Sequence, residues 1–133
     1  MIDREDAERM LGLAKVDLKA IRNMLSPEEF EDSVFGFHAQ QAVEKALKAW
    51  LTLRGVAYPK THDLRLLMSL LQTQTHEDCH PFSRLVDLTD FAVQFRYDFP
   101  VLPHEIDRVQ VISEVEHFTA HVGGLLDEAE AAP

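Results

Sequence analysis

Apolar residues in this chain recur at intervals of three and four, and nowhere do they alternate in twos over a useful length. Spacing by three and four puts side chains on one face of an α-helix, whereas a half-buried strand requires alternation. The chain is therefore restricted to helices packing on helices. Residues 3–25 carry the first stripe, through Ala7, Met10, Leu11, Ala14, Leu18, Ile21 and Leu25, with charges on the far side. Ser26-Pro27-Glu28-Glu29 then combines a capping serine, a proline in the first turn and an acid at the third position. This predicts a second helix from near Pro27, with an interruption near Asp32-Ser33, to Leu53 or Arg54. Gly55 is a suitable stop.

Tyr58-Pro59-Lys60-Thr61 reads as an extended connection, because the residue before a proline avoids the helical region. Thr61 or Asp63 can cap a third helix through Gln72, with Leu64, Leu67, Met68 and Leu71 inward. The polar stretch from Gln72 to His80 reads as a loop. Pro81 opens a fourth helix through Tyr97, with Leu85, Leu88, Phe91, Ala92 and Phe95 as its core stripe. Two prolines, Pro100 and Pro103, break it, and a last helix runs from His104 to Glu130. Short links between long amphipathic helices favour antiparallel neighbours. The expected fold is all-α, an antiparallel up-and-down four-helix bundle with one additional short helix, as a single domain over residues 1–133. Phe35, Phe37, Trp50 and Phe118 read as more large apolar surface than one bundle buries, which a homodimer would cover.

Composition narrows the function classes. At 133 residues the chain can bury a real core without disulfides, and its single Cys79 suits a reducing compartment. The opening Met1-Ile2-Asp3-Arg4-Glu5-Asp6 is charged where a signal peptide turns apolar, and no apolar run approaches a membrane span. A cytoplasmic protein is expected. A formal net charge of −10 argues against a general nucleic-acid binder. The charge is uneven, however. From Lys45 to Arg65 five bases stand against Asp63 alone, a net +4, while Glu114 to Glu130 holds five acids and no Lys or Arg. Such a basic segment can receive a phosphate while the remaining surface repels long polyanions.

The chemistry-bearing residues concentrate in Phe37-His38-Ala39-Gln40-Gln41-Ala42-Val43-Glu44-Lys45-Ala46-Leu47-Lys48-Ala49-Trp50-Leu51. Gln41, Lys45 and Lys48 share a helix face, and an amide beside an ammonium can meet a polar ligand. The structural alternative is a Glu44–Lys48 surface pair contributing about 0.3–0.5 kcal/mol. Thr61-His62-Asp63-Leu64 and Phe95-Arg96-Tyr97 follow. His62 can simply pack beside a helix start, and Arg96 suits a helix C-terminus. Two metal-like sets, His76, Cys79 and His80 in a loop and Glu114, His117 and His121 on a helix, lack the further ligands that zinc or di-iron centres need. No metal site is expected.

With these three segments, the chain from Glu5 to Leu126 resembles the HEPN family of helical domains. The resemblance implies a non-catalytic domain that binds a nucleotide such as ATP, or a similar phosphate ligand. Gln41, Lys45, His62, Arg96 and Tyr97 would line its groove. It also implies a homodimer and a small nucleotidyltransferase as partner, in a toxin–antitoxin-like module. Ribonucleases of the family carry an arginine and a histidine close in sequence, which makes a metal-independent RNase acting on RNA through Arg96 and His104 the first alternative. Here seven residues separate the two, with two prolines among them, a departure from the shorter, helical spacing of the nuclease form. A protein-interaction module without a small ligand is the second alternative.

Overall fold

The Asp3 carboxylate accepts the Asp6 N–H at 2.9 Å and so caps the first helix, α1, Arg4–Arg22. A computed structural model of the chain describes residues 3–94 and 106–131. Acids in the first turn of α1 and bases in the last match the helix dipole. Ala7, Leu11, Ala14, Leu18 and Ile21 form its buried stripe as the spacing predicts.

The second helix, α2, spans Asp32–Leu53 and starts later than Ser26-Pro27 suggests. Ser26 does cap a turn, its Oγ accepting the Glu29 N–H, but Glu31 is extended and ends that turn. The cause lies far along the chain. The buried Arg108 guanidinium donates to the carbonyls of Met24 at 2.7 Å, Ser26 at 3.3 Å and Phe30 at 2.7 Å, and to Asp32 Oδ1 at 2.8 Å. A guanidinium that draws on three carbonyls and on the Asp32 side chain fixes this connection as a turn, with the Ser26 carbonyl also accepting the Phe30 N–H at 3.0 Å. This tertiary demand overrides the local capping signal.

At its other end α2 stops as predicted. Gly55 takes φ 69°, its N–H bonds the Thr52 carbonyl, and the Val56 N–H returns to the Leu51 carbonyl. That is the paired bonding of a glycine-terminated helix. Asp63 caps α3, Leu64–Thr75, by accepting from the Arg65 and Leu66 N–H groups. The helix outlasts the predicted Gln72 by one turn, because His76 at φ 60° supplies the left-handed stop.

The predicted fourth helix from Pro81 is not one continuous α-helix. His80–Leu88 is a 3₁₀ helix, followed by α4, Thr89–Gln94. Its apolar residues explain this: Phe82, Leu85, Leu88 and Phe91 repeat every three, and three residues per turn line them up on one side. The Phe91 ring lies on Gly36 of α2, where a Cβ would overlap it. Thr89 Oγ1 accepts the Leu64 N–H at 3.1 Å, tying α4 to the start of α3. The predicted stripe residue Phe95 lies outside the described residues.

The last helix, α5, runs Arg108–Ala131. Its start is Arg108 rather than His104, with Asp107 Oδ1 accepting the Gln110 N–H as the cap. Helix α2 contacts every other element, and α1, α2 and α5 are mutual neighbours. The architecture is an all-α bundle with an extra short helix, and no strand occurs among the described residues. Ala39, Ala42, Ala46 and Ala49 of α2 are fully buried, a row of small side chains that lets neighbouring helices approach closely. Phe35, Trp50 and Phe118 are also buried within the one chain. Phe37, the fourth of that set, is half-buried. Among the described residues, Leu13, Val16, Leu25, Leu66 and Val109 are large apolar side chains that face solvent.

Candidate functional site

The polar residues of α2 divide between two carboxylates. Asp17 lies among the buried residues of α1, in line with Ala14, Leu18 and Ile21. Its Oδ2 accepts Lys45 Nζ at 2.6 Å and its Oδ1 meets His38 Nδ1 at 3.0 Å. Glu44, itself on α2 and buried, repeats the arrangement toward α3. Its Oε2 accepts Lys48 Nζ at 3.1 Å, and its Oε1 meets His62 Nδ1 at 2.8 Å and Gln40 Nε2 at 3.0 Å. Each carboxylate thus holds one lysine and one histidine. The Gln40 amide also donates to the His62 carbonyl at 2.9 Å, which docks the α2–α3 connection onto α2. Gln41 donates to Gln40 Oε1 at 2.7 Å. The Tyr58 ring from the same connection lies 5.7 Å from Lys48 Nζ.

Both histidine tautomers follow from chemistry. An ionised carboxylate only accepts, so Nδ1 of His38 and of His62 carries the hydrogen. Nε2 is left as an acceptor in the neutral ring and a second donor in the protonated one. The carboxylates are sheltered, with 10% and 5% of their side-chain surface exposed, whereas His62 exposes 69%. The cluster therefore roots in the core and opens at the surface.

Of the residues singled out from sequence, Gln41 and His62 join one hydrogen-bonded group around Gln40 and Glu44. Lys45 belongs to the neighbouring group around Asp17. Arg96, Tyr97 and His104 lie outside the described residues. The Glu44–Lys48 pair exists, but at 5% and 14% side-chain exposure it is a largely buried pair and not a surface one. Sequence reasoning passed over Asp17 and His38, and it took Glu44 only as half of a pair. The signal for Asp17 was present: an acid standing on the apolar stripe of an amphipathic helix needs a buried partner.

Elsewhere, two shallow grooves of about 270 and 300 Å³ flank the 3₁₀ helix and α5, and neither is lined by a residue of α2. Arg84 and Glu114 line both and pair at 3.4 Å. Cys79 is fully buried; burial first, and then the nearby Glu77 and Asp78 carboxylates, push its thiol up to about 11. His121 lies 5.0 Å from the Trp50 ring and 5.1 Å from Phe82. Among the described residues no group of three or more His, Cys, Asp and Glu side chains is placed to hold a metal ion. Among the described residues no helix is long and apolar enough to cross a membrane either.

A helical bundle with a polar cluster rooted on its central helix is the class that these features define. The HEPN domain profile matches residues 7–125, and the chain belongs to the HEPN family. No curated protein and no solved structure matches the chain.

Proposed function

We propose that this chain is a non-catalytic domain that binds a nucleotide such as ATP, or a similar phosphate-bearing ligand, along the polar row of α2. One observation carries the reading: two lysines are held on α2 by sheltered carboxylates, each shared with a histidine that reaches toward solvent. A buried ion pair adds little to stability, since apolar residues of similar size hold helices together as well or better. Two such groups side by side are better accounted for by a ligand than by the fold. The lysines act as point charges toward phosphate and Gln41 as an amide donor. Arg96 and Tyr97 remain in the proposed residue set on sequence grounds, as a phosphate contact and a stacking ring. The small nucleotidyltransferase partner, the homodimer, the toxin–antitoxin-like module and the cytoplasmic setting belong to the same proposal and rest on the family resemblance.

Calorimetric titration with ATP tests the reading. Binding in about the micromolar range, weakened about tenfold or more by Lys45→Ala and by Arg96→Ala, is expected. No heat from the wild-type protein with any common nucleotide would overturn it.

A further inference from the structure

The segment from Lys45 to Arg65 holds five basic side chains, and carboxylates hold four of them. Lys45 pairs with Asp17 at 2.6 Å, Lys48 with Glu44 at 3.1 Å, Arg65 with Asp87 at 3.1 Å, and Arg54 with Glu77. The fifth, Lys60, is exposed, and among the described residues no carboxylate pairs with it. The nearest acid in sequence, Asp63, turns its carboxylate to the Arg65 and Leu66 N–H groups. Lys60 stands midway between two residues that touch the polar row of α2. The Tyr58 ring lies 5.7 Å from Lys48 Nζ, and His62 meets Glu44 through Nδ1 and accepts from Gln40 through its carbonyl. Two residues of chain span at most about 7 Å, so the Lys60 backbone lies no farther than that from either contact residue's own. The chain around it is held: the Val56 N–H bonds the Leu51 carbonyl, and Thr61 Oγ1 accepts the Asp63 N–H.

We infer that Lys60 is a phosphate contact of this site, supplying the charge that the paired lysines of α2 cannot. The inference rests on the nucleotide reading above and adds a residue to it. The reason is Coulombic. A phosphate oxygen about 3 Å from the ammonium of Lys45 or Lys48 lies about 6 Å from the carboxylate behind it, so repulsion cancels about half of the attraction. Lys60 has no such carboxylate among the described residues, and its attraction is undivided. Its flexible four-carbon stem lets the ammonium follow the ligand, while the held backbone keeps it beside the row. The paired lysines and Gln41 then orient the ligand, and Lys60 draws it in.

The test is calorimetric titration with ATP of the wild type, Lys60→Ala, Lys60→Arg and Lys15→Ala. Thermal melting checks that each variant stays folded. Lys15 lines the groove between α1 and α5, so its variant reports the loss of one positive charge away from the α2–α3 connection. The expected result is a loss of about tenfold for Lys60→Ala, with Lys60→Arg and Lys15→Ala within about threefold of the wild type. Equal affinities of Lys60→Ala and wild type would overturn the inference and leave the nucleotide reading standing. So would a loss for Lys15→Ala or for Lys60→Arg as large as that for Lys60→Ala. Absence of binding by the wild type would instead overturn the nucleotide reading, and this inference with it.

Discussion

Arg108 and the Asp17–Glu44 cluster both bring charge into the bundle, yet they are finished differently. The Arg108 side chain is 4% exposed, and its partners are three carbonyls of the α1–α2 connection and one carboxylate, with the Phe35 ring 5.0 Å beneath. Its fork is spent on backbone, and among the described residues only Nε lacks a partner. Asp17 and Glu44 spend their oxygens on side chains, and their bonds reach the half-buried His38 and the exposed His62. A charge that terminates on backbone holds a turn in place. A charge linked to a solvent-facing ring, as Glu44 is through His62, lies where a ligand can reach it.

Substitutions can break that contrast. Arg108→Ala should have the largest effect on stability, a loss of about 3–5 kcal/mol in denaturant unfolding, because it removes the buried guanidinium that ties the Met24, Ser26 and Phe30 carbonyls and Asp32 to α5. Within the folded fraction, ATP affinity should stay within about twofold of wild type, since Arg108 is not part of the α2 row. Glu44→Gln should lose less, about 2–3 kcal/mol, because the exposed His62 can turn to water and the amide oxygen left at position 44 still accepts from Lys48. Equal losses for the two variants would erase the distinction. Gly36→Ala should cost about 1–3 kcal/mol through overlap with Phe91, partly offset by the better helix propensity of alanine.

Cys79 sharpens the contrast from another direction, as a buried ionisable group whose charged neighbours among the described residues are the Glu77 and Asp78 carboxylates. An unfolded thiol loses its proton near its ordinary value of 9.0, while the folded one holds it to about 11. Between those values the unfolded state binds fewer protons, so stability should fall as pH rises from 9 toward 11. The expected slope is about 1 kcal/mol per pH unit or less, and it should be missing in Cys79→Ser when both proteins are unfolded across that range.

The fold was largely legible because helical periodicity and end signals are local. The α1 stripe, the Gly55 stop and the Asp63 cap can each be read within a few residues. The start of α2 was not, because its cause is a guanidinium 76 residues beyond Asp32. The 3₁₀ helix was written in the three-residue repeat from Phe82 to Phe91, which also fits one face of a short α-helix. The site was half legible. Gln41, Lys45 and His62 stand out by type and spacing, but which carboxylate holds which lysine depends on α1 and α2 being side by side. Asp17 and Lys45 are 28 positions apart and meet only in the folded chain.

The central claim is that the polar row of α2 receives a phosphate-bearing ligand. Its most direct test is to follow backbone amide NMR shifts of the labelled protein while ATP is added. The account predicts changes concentrated on Gln41, Lys45 and Lys48 and on residues 58–62 of the α2–α3 connection. Changes confined to the groove between the 3₁₀ helix and α5, or none at millimolar ATP, would contradict it.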